Sequence, residues 1–219
     1  PTEEVFTMPL KTGVNGIVHS TKPLNYGGNL IDNFKLTFEN GKVVDFEAEE
    51  GYEVLKDLLS LDEGAKHLGE VALVPYDSPI SNSNIIFLNT LFDENASCHF
   101  AFGKAYPTNI KGGENMTDDE LEKAGVNDSL THVDFMVGSK DLSILGEMAD
   151  GEKVQIFENG NQVYESPSIE EIRDYCNDQL DTLWDEVKRF EKPHEYIVDL
   201  SQSIWDVKDR LLKENIEKI

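Results

Sequence analysis

Three side chains that can bind metals or transfer protons, Glu94, His99 and Tyr106, lie among small and apolar residues in the segment 91–106. Removing such groups from water costs several kcal/mol unless each one finds a partner, and one divalent cation would serve all three. The structural alternative for this segment alone is that Glu94 lies on a surface turn and His99 is a hydrogen-bonded core histidine, because most histidines bind no metal.

A second pair, His132 and Asp134, alternates with apolar residues in the segment 132–137. Residues two apart on a strand project from the same face, so this pair can reach one ion while Val133 points into the core. Imidazole and carboxylate together form the mixed ligand set of catalytic zinc, cobalt or manganese sites. The alternative is an ordinary surface pair. Candidate ligands beside predicted strands are Glu3, Glu4, Glu70, Glu94, His99, His132 and Asp134.

Other reactive side chains receive structural interpretations. Cys98 next to His99 resembles a thiol nucleophile with its base, but adjacent residues rarely reach hydrogen-bond geometry. A small buried thiol is the favoured role of Cys98. His19, His67 and His194 are interpreted as structural or exposed histidines.

Composition excludes several classes of partner. The 219 residues suffice for one large domain or for a domain with an appendage. With 19 basic and 43 acidic residues, the formal net charge is -24, which disfavours nucleic acid and anionic membranes and attracts divalent cations and amino groups. The two cysteines do not form a disulfide framework, and the sequence has neither a signal peptide nor a long apolar run. A cytoplasmic protein is predicted.

Short turns predict two β-hairpins. Asn-Gly pairs at 40–41 and 159–160 lie inside runs of mostly alternating polarity that span 34–46 and 154–164, and Asn-Gly favours two-residue hairpin turns. Further strands are predicted at 70–75 and 132–137.

Helical signals are concentrated at the carboxyl end. Acidic residues followed by spaced apolar ones predict a helix at 47–60, and the Thr-x-x-Glu motif at 117–120 predicts a capping box. Apolar residues every three or four positions predict two amphipathic helices, one at 168–190 and one from residue 200 to the carboxyl terminus at 219. The apolar run at 85–91 leaves its type open. The order of elements predicts an α+β fold, with a mixed sheet body with hairpins and flanking helices, followed by a two-helix tail.

Four segments carry motifs that occur in the same order in one enzyme family. They lie at residues 1–7, 68–78, 92–106 and 132–139, and they contain Glu-Val-Phe-Thr, Gly-Glu-Val, Asp-Glu-Asn-Ala-Ser-Cys-His and His-Val-Asp. They resemble the catalytic half of the metalloaminopeptidases that include aminopeptidase T, aminopeptidase S and PepS. The resemblance implies a metalloaminopeptidase-like catalytic domain at 1–161.

The resemblance also implies a site for two divalent metal ions, which could be zinc, cobalt, manganese or magnesium. Glu4 or Glu70 would serve as the bridging carboxylate or the proton shuttle, with Glu3 as the alternative to Glu4. Tyr106 matches the family's active-site tyrosine and would donate to the oxyanion. The implied metal ligands are Glu4, Glu70, Glu94, His99, His132 and Asp134.

The tail resembles a different enzyme. Segments within 166–201 are similar to the carboxyl-terminal helices of bacterial nicotinate phosphoribosyltransferase, which implies a helical tail at 162–219. The catalytic loops of that enzyme precede such a segment, so transferase activity is not expected. The metalloaminopeptidase resemblance covers one half of such enzymes, so the chain is expected to lack their amino-terminal domain and to join parts of two enzymes.

Two functions are compatible with these observations. The first is a metal-dependent aminopeptidase that releases N-terminal residues from peptide substrates, with a homodimer as an expected assembly. The second is a non-catalytic metal-binding or interaction module, or an inactive fusion fragment.

Overall fold

The computed structural model describes residues 4–163. They belong to the first of two compact units into which the chain divides, residues 1–163 and 164–219. The predicted helical tail at 162–219 lies almost entirely outside the described residues, and the domain boundary after residue 161 stays a prediction.

Residues 4–163 form strands and short helices, which confirms the predicted α+β class. None of these helices is long and apolar enough to cross a membrane. The strands are β1 (Val5–Thr7), β2 (Gly16–His19), β3 (Leu24–Tyr26), β4 (Asn29–Glu39), β5 (Lys42–Glu50), β6 (Leu68–Leu73), β7 (His99–Gly103), β8 (His132–Met136), β9 (Ile144–Glu147), β10 (Lys153–Glu158) and β11 (Asn161–Gln162). The helices are α1 (Tyr52–Leu59), α2 (Pro79–Asn82), α3 (Thr90–Asp93) and α4 (Asp118–Lys123), and 3-10 helices span Gly64–Lys66, Glu94–Ala96, Pro107–Asn109 and Gly113–Asn115.

The strands of the described part are arranged in three antiparallel sheets. The first sheet has the order β1-β6-β7-β8. In the second sheet β4 pairs with β2, β3 and β5, and the third sheet has the order β11-β10-β9. The strands of the first sheet carry four of the six predicted ligands, Glu70, His99, His132 and Asp134, and the second sheet packs against the first.

The predicted hairpin at 34–46 is confirmed as β4 and β5 and is longer than predicted. Asn40 and Gly41 have φ angles of 50° and 83°, the left-handed pair that a two-residue turn requires. Gly41 also passes close to another segment, because an added Cβ would lie 1.7 Å from the carbonyl oxygen of Lys11. The predicted hairpin around 159–160 is likewise present as β10 and β11.

The predicted helix at 47–60 is wrong over residues 47–50. These residues belong to β5 and pair with β4, so tertiary pairing overrides the helical signal of their acidic side chains. Gly51, with a φ of 75°, ends the strand, and α1 begins at Tyr52. Local sequence therefore identified the helix but placed its start too early.

The hydrophobic core lies between the first two sheets and α1. Phe135 on β8 stacks against Phe102 on β7 at 4.4 Å between ring centroids, and it meets Phe34 on β4 at 5.4 Å. All three rings are fully buried together with Leu55 and Leu58 of α1. Because alternate residues of β7 and β8 point to opposite faces, the other face of the first sheet is available for polar side chains.

The predicted capping box is present at the start of α4. The backbone N–H and the hydroxyl of Thr117 both donate to Glu120 Oε2 at 2.8 Å. We expect Thr117→Ala to lower the free energy of unfolding by about 1 kcal/mol, because helix donors lose their cap. Chemical denaturation measures this change. Thr117→Ser keeps the hydroxyl and is the matched control, so an equal loss in both variants would contradict a capping role.

Candidate metal centre

The first sheet places the strand-borne candidate ligands on one face. Residues directly opposite each other on neighbouring antiparallel strands share a face. Ala101 on β7 lies opposite both Glu70 on β6 and Asp134 on β8. Alternation along the strands adds His99 and His132 to the same face, which points away from the aromatic core. Across β6, β7 and β8 the order of neighbouring side chains is therefore acidic Glu70, small Ala101 and acidic Asp134.

Two further glutamates complete the cluster from outside the strands. Glu4 immediately precedes β1, and Glu94 begins the 3-10 helix that leads into β7. Glu3, the alternative to Glu4, lies outside the described residues. Donor atoms within 4.8 Å of one another form three groups: Glu4, Glu70 and His99; Glu70, His132 and Asp134; and Glu94, His99 and Asp134. The fold thus brings all six predicted ligands together.

Glu70 lies between the two imidazole rings. Its Oε1 is 3.5 Å from Nε2 of His99, and its Oε2 is 3.4 Å from Nε2 of His132. His132 Nε2 is also 3.4 Å from Asp134 Oδ1, and His99 Nε2 is 3.7 Å from Glu4 Oε2. Both Glu70 and His99 are buried, so solvent screens their interaction only weakly.

Backbone carbonyl groups fix the orientation of both imidazoles. His99 Nδ1 lies 3.0 Å from the carbonyl oxygen of Ser97, and His132 Nδ1 lies 2.7 Å from that of Lys104. A carbonyl oxygen can only accept, so each Nδ1 carries a proton and donates it. In a neutral ring the lone pair is then on Nε2, directed at the carboxylates, which is the usual arrangement of a metal-binding histidine.

Burial and mutual contacts shift the pKa values of the side chains in the cluster. Burial raises the pKa of Glu94 to about 7, with a further contribution from the negative charge of Asp134. Burial would also raise the pKa of Glu70, but hydrogen bonds from His132 and His99 outweigh it and lower that pKa to about 2. Burial disfavours the charged form of His132, yet its hydrogen bonds with Asp134 and Glu70 raise its pKa to about 11. Cations are therefore favoured here, and protons supply the positive charge in their absence.

The donor set is suited to divalent cations. Four carboxylates and two imidazole nitrogens are the oxygen and nitrogen ligands that zinc, manganese and cobalt accept in proteins. Partly buried carboxylates at this separation repel one another unless positive charge compensates them. Glu70 and Asp134 each belong to the group that contains His132 and to one of the two groups that contain His99. Each of these two carboxylates could therefore reach two ions.

Ala101 forms the floor between the ligands and is fully buried. We expect Ala101→Val to weaken divalent-cation binding about tenfold, because the added methyl groups would stand between Glu70 and Asp134 and push them apart. Isothermal titration with Mn²⁺ measures the affinity.

The matched control for Ala101→Val is Ala65→Val, because Ala65 is equally buried but lies in the 3-10 helix Gly64–Lys66, away from the cluster. Both variants are expected to lose thermal stability from overpacking. A loss of affinity that is equal in the two variants would show that Ala101 has no specific role at the site.

Five of the six candidate ligands, all except the buried His99, line a cleft of about 600 Å³. Tyr106 lies on its wall, half exposed, with its ring centroid 5.0 Å from that of His132 and 6.3 Å from that of Phe6. Thr90 and Leu91 contribute a second part of the wall. The phenol of Tyr106 is therefore beside the candidate ligands and accessible from the cleft.

Other candidates of the sequence have structural roles in the described region. The Cys98 thiol is buried between the backbone N–H and carbonyl of Val74, both at 3.3 Å from the sulfur, and burial raises its pKa. The Nδ1 of His67 contacts the carbonyl of Lys11 at 3.2 Å. The ammonium group of Lys104 pairs with Asp128 at 3.3 Å, so Lys104 serves His132 through its backbone and not through its charge.

Sequence reasoning missed Ala101 and Asn25, which contacts the segment beside the cleft through Leu88. Ala101 has a signal in the sequence, because His99, Ala101 and Gly103 alternate and place small residues on the face that carries the ligand. Asn25 has no such signal, since its contact with Leu88 joins residues 63 positions apart.

Comparison with known proteins identifies the family. The model of the thermophilic metalloprotease (M29) family matches residues 1–162. The chain belongs to the M29 family. Aminopeptidase 2 of Geobacillus stearothermophilus is 65% identical over 165 residues, which are 75% of this chain and 40% of that protein. The M29 chain therefore spans about two fifths of the length of this relative.

A solved structure and a second relative extend the comparison. The structure of wild-type AmpT from Thermus thermophilus matches with a TM-score of 0.70 and 47% identity, over 75% of this chain and 40% of that one. Nicotinate phosphoribosyltransferase of Bacillus subtilis is 46% identical over 59 residues, which are 27% of this M29 chain and 12% of the relative. Both predicted resemblances are confirmed.

Proposed function

We propose that this M29 chain is a metal-dependent aminopeptidase that hydrolyses the first peptide bond of peptide substrates. The observation that carries the proposal is the convergence of four carboxylates and two oriented imidazoles in one cluster, five members of which line an accessible cleft. The similar protein of G. stearothermophilus is named an aminopeptidase, which supports this substrate class.

The proposed cofactor is a pair of divalent ions, with zinc, cobalt, manganese and magnesium as candidates. His99 would hold one ion together with Glu4 and Glu94, which each share a ligand group with His99 but not with each other, and His132 would hold the other ion. Glu70 would bridge the two ions, because it contacts both imidazoles, whereas the ligand group of Glu4 contains only the imidazole of His99. Asp134 can also reach both positions. The four negative charges of the carboxylates would then balance the four positive charges of the two ions.

Hydrolysis requires that water add across the amide bond, with its oxygen joined to the carbonyl carbon and a proton delivered to the leaving amine. Such ions lower the pKa of a bound water and polarise the scissile carbonyl. Because Glu70 is assigned as the bridge, we assign to Glu4 the transfer of the water proton towards the leaving nitrogen. Tyr106 would donate its phenolic hydrogen to the oxyanion. The formal net charge of the chain, -24, would also attract the free α-ammonium group of a peptide.

The test is hydrolysis of leucine p-nitroanilide by the full chain, after metal removal and again after addition of Co²⁺, Zn²⁺, Mn²⁺ or Mg²⁺. Turnover that needs the ion and is blocked by acetylation of the substrate's amino group would support an aminopeptidase. Bound metal without turnover on several aminoacyl anilides would overturn it and favour the second function.

Tyr106→Phe is expected to lower kcat about 10²-fold and to change KM little, because only the hydrogen-bond donor to the transition state is removed. Steady-state kinetics on the same anilide measures both constants. Tyr76→Phe, a half-exposed tyrosine that does not line the cleft, is the control. A drop in kcat of similar size in the control would contradict the assignment of Tyr106.

The second candidate is a metal-binding or interaction module without catalysis. It is favoured by one observation, the similarity of a second segment, 27% of this chain, to 12% of a phosphoribosyltransferase. Under either function we propose a division into a catalytic-type domain at 1–161 and a tail at 162–219, and a cytoplasmic location, which suits the free thiol of Cys98. A homodimer remains a proposal for the assembly.

A further inference from the structure

One wall of the cleft belongs to a short segment that we call the strap, residues 85–93. The strap follows α2, includes α3 and ends one residue before Glu94. Its residues Thr90 and Leu91 line the cleft above the cluster. The position of the strap therefore determines the distance between this wall of the cleft and the candidate ligands.

Hydrophobic burial does not hold the strap in place. Its large apolar side chains are 40% to 74% exposed, and the rings of Phe87 and Phe92 pack on each other at 5.4 Å within the strap. Leu88 has a φ of 52°, a left-handed conformation that a leucine rarely adopts without constraint. Specific polar contacts must impose this shape. The exposed side chains are Ile85, Ile86, Phe87, Leu88, Leu91 and Phe92.

The main polar anchor is Asp93, which is only 5% exposed. Its Oδ1 accepts the backbone N–H of Phe87 at 2.8 Å, and its Oδ2 accepts that of Asn89 at 3.0 Å. A second anchor comes from outside the strap, where the Asn25 side-chain amide donates to the Leu88 carbonyl at 2.9 Å. Asp93 itself does not line the cleft, so it can act on a substrate only through the strap.

We propose that Asp93 is a positioning residue that holds Thr90 and Leu91 as the substrate-contacting wall of the cleft. This inference rests on the proposed aminopeptidase function. The buried carboxylate fixes both ends of the 87–93 turn, and Leu91, the most exposed residue of the strap wall, is thereby presented to the cleft.

The test is Asp93→Asn, which removes one acceptor and places an amide N–H against a backbone N–H. The expected result is a KM for leucine p-nitroanilide about tenfold higher, with kcat within about twofold and unchanged metal content. Hydrogen exchange of the amides in residues 85–92 is expected to become at least about tenfold faster. A merely structural role would lower the active fraction, and with it the apparent kcat, without changing KM.

The matched control is Asp62→Asn. Asp62 also accepts one loop amide on each oxygen, from Ala65 and Leu130, but neither it nor these partners line the cleft. Asp62→Asn is expected to destabilise the chain and to leave both KM and strap exchange unchanged. An unchanged KM in Asp93→Asn, or an equal rise of KM in the Asp62 variant, would overturn the proposal.

Two further measurements apply if Asp93→Asn does not fold or if the unmodified chain is inactive. If Asp93→Asn does not fold, Leu91→Ala tests the wall directly, because Leu91 is 74% exposed and its truncation does not threaten the core. An unaltered KM in Leu91→Ala would then overturn the inference. If the unmodified chain hydrolyses no anilide with any of the metal ions, the proposed function is contradicted, but the anchoring role of Asp93 can still be tested. Equal hydrogen-exchange rates of the strap amides in Asp93→Asn and in the unmodified chain would overturn that role.

Discussion

Replacing Glu70 by Ala is expected to weaken divalent-cation binding about 10³-fold and to abolish metal-dependent turnover. Glu70 contacts both imidazoles and belongs to two of the three ligand groups, so its loss affects both proposed ion positions. Removing one partner from a buried charged cluster costs about 3–5 kcal/mol, which corresponds to a factor of about 10²–10⁴ in affinity.

The measurement is metal content after dialysis against a weak chelator, followed by titration with Mn²⁺. Glu147→Ala is the matched control, because Glu147 is also a strand glutamate but is exposed and pairs with Lys153 at 3.8 Å on the surface. It is expected to bind metal like the unmodified chain. Unchanged stoichiometry and affinity in Glu70→Ala would remove Glu70 from the ligand set.

Metal affinity is also expected to rise steeply with pH, by at least about 10³-fold between pH 6 and pH 8. With no metal bound, His132 has a pKa raised to about 11 and is protonated throughout this range. Glu94 has a pKa raised to about 7 and is protonated only below that value. Both groups must be deprotonated to ligate a cation, so metal binding releases protons.

The sign follows from the number of protons released. Below about pH 7, Glu94 and His132 each lose one proton on binding, so affinity rises at least about 100-fold per pH unit. Burial lowers the pKa of His99, but hydrogen bonds to Glu70 and Ser97 outweigh it and raise that pKa, so His99 adds to this rise wherever it is protonated. Above pH 7, Glu94 is already ionised and the two imidazoles alone contribute, which leaves at least about tenfold per unit. Titration calorimetry in two buffers of different ionisation enthalpy counts these protons directly.

Glu94→Gln separates the two contributions to this pH dependence. The variant cannot release a proton at this position, so the slope below pH 7 should fall by about one proton, while the slope above pH 7 stays the same. An affinity that is equal at pH 6 and pH 8 would contradict the coupling between metal and protons, and with it the assignment of His132 and Glu94 as ligands.

Much of the cluster was predictable because its signals are local or come from a strong resemblance. The two-residue spacing of His132 and Asp134 places both on one face of any strand, and β8 is such a strand. Glu70 opens a predicted strand, whereas the strand that His99 begins, β7, was not predicted. The pairing of β6, β7 and β8 is not readable from spacing, and the prediction that their ligands share one site came only from the family resemblance.

The remaining features depend on contacts between distant parts of the chain. Residues 47–50 carry helix-type acidic residues, but the partner strand β4 makes them a strand. The apolar run at 85–91 left its type open, because its shape is set by Asp93 and by Asn25, which lies 63 residues from its partner Leu88. No periodicity within the run reports such contacts.

The carbonyl groups that orient His99 and His132 have a consequence for how this family can diverge. Every amino acid, proline included, has a backbone carbonyl, so the identities of residues 97 and 104 can drift without removing either acceptor. The direction of both rings is therefore tolerant of substitution at those two positions and vulnerable to insertions or deletions that shift the path of the main chain. Sequence variability at Ser97 and Lys104 would consequently say nothing about how firmly the imidazoles are held.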